Sequence, residues 1–177
     1  MGMAVDADVM NSYLKSLIDG DIQGTVYRLI EGIKAGPGFS IDFDGKIEHQ
    51  WHETCKHKLF ESWFVEAIQA GAIRVVDNDL PEKHKKHLRL QLGFPYNQRF
   101  EGTYIEVAFA TGEKIIISED IDFWSPQDKR CSPERRRLLM EGRQGDVYRY
   151  LHAKVGIEVH TVAQAANEPS ICFCAGS

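Results

Sequence analysis

The run Lys114-Ile115-Ile116-Ile117-Ser118-Glu119-Asp120-Ile121-Asp122-Phe123 sets three β-branched residues directly ahead of a hydroxyl and three carboxylates. Bounded by Gly112 behind and a charged turn ahead, the isoleucines fit a short strand covered on both faces. Ligands in open parallel sheets bind at the carboxyl ends of such strands. More acids fall at the starts of helices. Asp6 interrupts the apolar run from Ala4 to Val9 at a strand-to-helix junction, with Asp8 as its alternative two residues on. Glu48 borders the stripe Ile47, Trp51, Cys55 and Leu59 at a helix start, and Glu101 opens a helix whose inward face continues through Ile105 and Ala108. Carboxylates gathered in a partly dry cleft resist ionising together unless a cation compensates them. Hard oxygen ligands without a thiolate set point to Mg²⁺ or Mn²⁺ rather than zinc. A carboxylate-held metal pair is a recurrent means of hydrolysing phosphodiesters, so the implied substrate is a nucleic acid.

Each acid also has an ordinary structural role. Asp6 or Asp8 could cap the helix that follows. Glu48 and Glu101 could be first-turn acids that complement the helix dipole, worth ~0.3–1 kcal/mol each. Asp120 could be a turn residue after a strand. It is their joint order along the chain that favours a shared site.

The elements that must position these groups alternate. After the first strand, a helix carries Val9, Met10, Tyr13, Leu14 and Leu17, and a second spans Gln23 to Lys34 with Val26, Leu29, Ile30 and Ile33 on one stripe. Phe39 to Phe43 is extended. The Glu48 helix continues through Lys58 to Ile68 and stops at Gly71, where glycine suits a C-terminal cap. Ala72 to Val76 is extended, Pro81 to Leu92 helical, the Glu101 helix leads into the isoleucine strand, and Gly145 to Val155 is helical before a last strand, Ile157 to Val162. Ala35 to Gly38, Asp77 to Pro81, Gly93 to Arg99 and Ser125 to Pro133 read as loops. Strands alternating with helices predict an α/β fold, a central, mostly parallel sheet flanked by helices on both faces.

Five ordered blocks resemble those of PIN domains: Val5-Asp6-Ala7-Asp8-Val9; Ile47-Glu48; Glu101-Gly102-Thr103-Tyr104-Ile105-Glu106-Val107-Ala108; Ile116-Ile117-Ser118-Glu119-Asp120-Ile121-Asp122-Phe123; and Gly156-Ile157-Glu158-Val159-His160-Thr161-Val162. The resemblance spans nearly the whole chain and is carried most by the hydroxyl-x-Asp-x-Asp-Phe block. It implies a metal-dependent nuclease, usually a ribonuclease. Asp6, Glu48, Glu101 and Asp120 would stand at the four acidic positions, Ser118 at the hydroxyl position and Asp122 as a supporting fifth acid. The third acidic position is more often Asp in that family, and Glu101 carries its carboxylate one methylene further out. Toxin components of toxin-antitoxin pairs resemble this pattern too, which implies an inhibitory antitoxin-like partner protein; a homodimer is a separate expectation. The domain is expected over residues 1–165, with a tail over 166–177.

Charge gives a divided signal. The net charge of −5 disfavours high-affinity binding to a polyanion. Two clusters nevertheless offer phosphate contacts, Lys83, Lys85, Lys86 and Arg89 on a helix, and Arg135 and Arg136 in the segment after Asp122. The partner would be RNA, or single-stranded DNA, with Tyr96, Phe100 and Trp124 available for stacking on bases and Phe123, which also could stack, expected rather in the core. The run His49, His52, Cys55, His57 suggests zinc superficially. His52 and His57, however, miss the helical two-histidine pattern by one residue and point about 140° apart at ~100° per residue. Cys55, Cys131, Cys172 and Cys174 form no C-x-x-C pair, and no signal peptide or long apolar stretch opens the chain, so a cytoplasmic, reduced protein without membrane attachment is expected. With 43% apolar and 27% charged residues, 177 residues suffice for one domain. The alternatives to a nuclease are a non-catalytic binding or scaffold module of the same fold, and a metal-dependent phosphoesterase acting on a small phosphorylated metabolite.

Overall fold

The computed structural model describes residues 2–96, 100–168 and 171. Five strands, β1 (Ala4–Val5), β2 (Phe39–Asp42), β3 (Ile73–Val76), β4 (Ile115–Ile117) and β5 (Glu158–His160), pair in parallel throughout. β4 lies between β1 and β5, and β2 lies beside β3. A parallel bridge between Met3 and Phe39 joins the two sets, with Met3 N donating to Gly38 O at 3.0 Å and Ser40 N to Met3 O at 2.9 Å. The resulting order is β3-β2-β1-β4-β5. Every residue of β1, β2 and β4 is buried. Because successive side chains point to opposite faces, both faces of the central strands are covered. β3 is the open edge, and Arg74 and Val75 on it are exposed.

Helices make the connections: α1 (Ala7–Asp19), α2 (Thr25–Ala35), α3 (Lys46–Thr54), α4 (Lys58–Gln69), α5 (Glu82–Leu90), α6 (Glu101–Ala110), α7 (Pro133–Glu141), α8 (Asp146–Tyr150) and α9 (Val162–Ala166). Parallel neighbours require such crossovers. The α/β expectation therefore holds, with a small sheet and a large helical share. α6 is buried along nearly its whole circumference, Glu106 being half-exposed, because it lies across β1, β2 and β4. Among the described residues no helix is long and apolar enough to cross a membrane.

Four local expectations are corrected. The helix expected from Glu48 to Ile68 is two helices, broken at Cys55 to His57, where the His57 ring nitrogen accepts from Leu59 N at 3.1 Å and caps α4. That break turns Leu59 out of the stripe, leaving it 43% exposed, while Ile47, Trp51 and Cys55 are fully buried. Pro133, expected to end a loop, instead opens helix α7, which carries Arg135 to Arg137 and is started by Ser132 Oγ accepting from Arg135 N. The last strand stops at His160, because Thr161 opens α9 with a capping box to Gln164.

The packing that fixes α3 against the sheet is specific. Trp51 sits edge-on to Phe39 at 5.9 Å and donates its indole N–H to Val5 O at 3.0 Å. Asp42, at the end of β2 and 1% exposed, accepts from Lys46 N and Ile47 N at 2.9 and 2.8 Å. Those bonds satisfy two amides at the start of α3 that the helix itself leaves open. In the expected tail, Ile171 is buried in the core, and Cys172 and Cys174 lie outside the described residues.

Candidate metal centre

The strand order reverses between β1 and β4. After β1 the chain fills one side of the sheet with β2 and β3, then returns to the other side for β4 and β5. The carboxyl edge at such a reversal is where open parallel sheets form their clefts. Register sets what meets there. Val5 pairs with Ile117, and Ile117 with His160, so Asp6, Ser118 and Thr161 all leave the sheet at the same level. Asp6 N donates to Ile117 O at 2.9 Å and Ser118 N to His160 O at 3.0 Å.

From that level Ser118 Oγ donates to Asp6 Oδ2 at 2.6 Å and accepts from Asp120 N at 3.0 Å. Asp6 makes no side-chain cap to α1, although it occupies the capping position. The ordinary explanation for this acid therefore does not apply. Burial pushes its carboxyl up to about 7; the Ser118 hydrogen bond opposes that rise, and the charges of Asp8 and Asp120 add to it. Asp8 itself is exposed.

Asp120 accepts from Asp122 N at 3.0 Å and so closes a 3₁₀ turn over Ile121–Phe123. The turn reverses the chain and sends the Asp122 side chain inward. There Glu101, Asp120 and Asp122 each bring one carboxylate oxygen within 4.8 Å of the others. Glu101 and Asp122 are buried, at 7% and 1% exposure. Asp122 divides its oxygens. Oδ2 receives Lys129 Nζ at 2.7 Å, while Oδ1 is buried without a hydrogen-bond donor among the described residues. An octahedral Mg²⁺ with oxygens at about 2.1 Å places opposite ligands about 4.2 Å apart, so this spacing suits a divalent cation after a small contraction. The donor set is all oxygen, which fits Mg²⁺ or Mn²⁺.

The six acidic and hydroxyl residues singled out in the sequence thus divide. Glu101, Asp120 and Asp122 form one group, and Asp6 with Ser118 adjoins it through Asp120. Glu48 stands apart. It is half-exposed in the first turn of α3 and does not join the three-acid group. Its helix does abut α6, through Tyr104 Oη donating to Gln50 Oε1 at 2.7 Å and the His49 ring facing Phe100.

Of the cationic residues, Lys83, Lys86 and Arg89 are exposed on α5. Lys85 is corrected from a phosphate contact to an internal cation, held by Glu106 at 2.9 Å and Asp79 at 3.1 Å. Arg136 donates to Glu119 O at 2.8 Å, which brings its guanidinium to the residue before Asp120, and Arg135 pairs with Asp128 at 3.6 Å. Phe123 and Trp124 are fully buried core residues, and Tyr96 is turned in to donate to Glu106, so these three present no stacking face. Phe100 is half-buried. His52 packs on Phe60 and Phe64 and bonds Glu61, and among the described residues no histidine or cysteine joins a metal-type cluster.

Sequence reasoning missed Lys129 as the partner of Asp122 and Asp42 as the anchor of α3. For Asp42 a signal existed, an acid ending an apolar strand just before Gly45 and a helix. Comparison of the chain with protein-family models, with curated proteins and with solved structures finds no match, so the assignment of this edge rests on its own geometry.

Proposed function

We propose that the chain is a PIN-like, metal-dependent endoribonuclease whose reaction centre is the carboxyl edge between β1 and β4. The observation that carries the reading is the convergence of Glu101, Asp120 and Asp122 beside the Asp6–Ser118 pair at the reversal of strand order. Glu101, Asp120 and Asp122 would hold the cation. A divalent ion bound there would lower the pKa of a water and neutralise the leaving oxyanion of a phosphodiester. Asp6, with Oδ2 fixed by Ser118, would orient that water and accept its proton. Ser118 also receives the Asp120 amide, so one hydroxyl sets the spacing of both acids.

Cleavage of a single-stranded RNA with Mg²⁺ or Mn²⁺ and with EDTA, by the parent and by Asp120→Asn, tests the assignment. The amide keeps the shape and the capping acceptor but removes the charge. Metal-dependent cutting by the parent and loss of at least a hundredfold in the variant are expected; equal cutting by both overturns it.

A second reading has one observation in its favour. Lys129 already neutralises Asp122, as in a fold kept for binding rather than catalysis. In such a module neither Mg²⁺ nor Mn²⁺ raises the melting temperature. In the nuclease, saturation at a hundredfold over the dissociation constant adds about 2.7 kcal/mol.

A further inference from the structure

A cavity of about 650 Å³ lies between α7 and α9, with Glu119, the residue before Asp120, in its lining. Met140 and Ala163 contribute apolar lining, and Arg136, Arg137 and Arg143 contribute guanidinium groups, Arg137 paired loosely with Glu141 at 4.0 Å and Arg143 with Glu158 at 3.9 Å. The wall is firm. Glu119 Oε1 accepts from Val162 N at 2.7 Å, and Gln164 Nε2 donates to Met140 O at 3.2 Å, which ties α9 to the end of α7. Glu119 is next in sequence to Asp120, so the cavity begins one residue from the three-acid group.

The lining selects a class of ligand. Arginine and glutamate side chains occur there in equal number, three of each, which disfavours a bare anion such as phosphate. Glu119 offers carboxylate acceptors, and the Asn167 side chain both a donor and an acceptor. A nucleotide matches every part. It has a flat apolar face for Met140 and Ala163, a base edge carrying both donors and acceptors, and a phosphate for the guanidinium groups; guanidinium planes also stack on bases. The volume lies in the usual range for small-molecule sites, about 300–1,000 Å³.

We infer that this cavity is a base-binding subsite that seats one nucleoside phosphate of the RNA strand, adjacent to the nucleotide whose phosphodiester faces the acids. The strand assignment rests on the nuclease reading, and Arg136 is its link, since it holds the Glu119 carbonyl while lining the cavity. The subsite gives the enzyme a preference at one position next to the cut.

Binding is measured on Asp120→Asn protein in EDTA, which separates it from cutting and from metal. The probes are adenosine 5′-monophosphate, uridine 5′-monophosphate and a decameric single-stranded RNA, by titration calorimetry. Ala163 is exposed, so Ala163→Trp fills the cavity without entering the core. Added to Asp120→Asn, Ala163→Trp and Arg136→Gln are each expected to weaken mononucleotide and decamer binding at least tenfold. Arg136→Gln should also lower the slope of log affinity against log salt by about 0.7 for the lost phosphate contact. Mononucleotide and decamer affinities both within twofold of Asp120→Asn in both variants overturn the subsite. Loss of mononucleotide binding with decamer affinity unchanged overturns its place on the strand. Cutting by the parent is scored separately, so a chain that binds as expected but never cuts fails the nuclease reading and keeps the subsite.

Discussion

Removing the charge of Asp6 should make the metal-free protein more stable at neutral and alkaline pH. The carboxyl is 6% exposed, and burial with the charges of Asp8 and Asp120 outweighs the Ser118 hydrogen bond, so its pKa stands at about 7 against 3.8 unperturbed. Between those values the folded chain binds more protons at this group than the unfolded chain. Stability therefore falls as pH rises from about 4, and levels off above about 7. A difference of about 3 pH units at about 1.4 kcal/mol each gives a ceiling of about 4 kcal/mol. For a chain of this length that is roughly 8–16 °C in melting temperature. Asp6→Asn leaves an oxygen to accept from Ser118 and abolishes the titration. The assay is urea unfolding of parent and variant in EDTA from pH 4 to pH 8.5. The variant should gain on the parent across this range and reach a plateau above pH 7. Glu119, raised by burial, tilts stability the same way, while His160, lowered by burial, loses stability as pH falls below about 6.5; both remain in each protein and largely cancel in the comparison. Excess Mg²⁺ should narrow the gap, because a nearby cation favours ionised Asp6. A parent-to-variant difference independent of pH from 5 to 8 refutes the reasoning.

Lys129→Gln strips the counter-charge from the buried Asp122 carboxylate and should cost about 1–3 kcal/mol in EDTA by urea unfolding, with a larger gain on adding Mg²⁺ than the parent shows. Asp42→Ala frees the Lys46 and Ile47 amides and should cost about 1–2 kcal/mol, seen as faster hydrogen exchange at those two amides. Gly145→Ala places a Cβ 1.8 Å from Trp124 O, a clash with backbone that cannot be relieved by a rotamer, and a loss of about 1–3 kcal/mol or more is expected in thermal melts.

The strand that carries the site was legible because its signal is local. Three isoleucines followed by Ser118 and Asp120 specify a buried strand and its polar end whatever surrounds them. The meeting of Asp6 with Ser118 depends on parallel register between strands far apart in sequence, and only the alternating pattern of elements hinted at it. Asp122, a supporting acid in the sequence pattern, stands in the three-acid group because the 3₁₀ turn closed by Asp120 redirects it, and a two-residue spacing does not reveal that turn. Glu48 was placed by its position on a helix, but its first-turn location leaves it half-exposed. The break between α3 and α4 was hidden because a histidine ring nitrogen makes the cap, outside the usual Ser, Thr, Asp and Asn signals. α7 has a local signal in Ser132-Pro133, a capping hydroxyl followed by a first-turn proline.

The hydrogen bond between Ser118 and Asp6 closes a separation of 112 residues. Contacts that distant form slowly, since the loop between them must first be ordered. On a ribosome adding about 5–20 residues per second, Asp6 is added roughly 6–22 s before its hydroxyl partner. Throughout that interval the nascent chain cannot assemble the acidic edge, because the hydroxyl that joins Asp6 to the Asp120 turn does not yet exist.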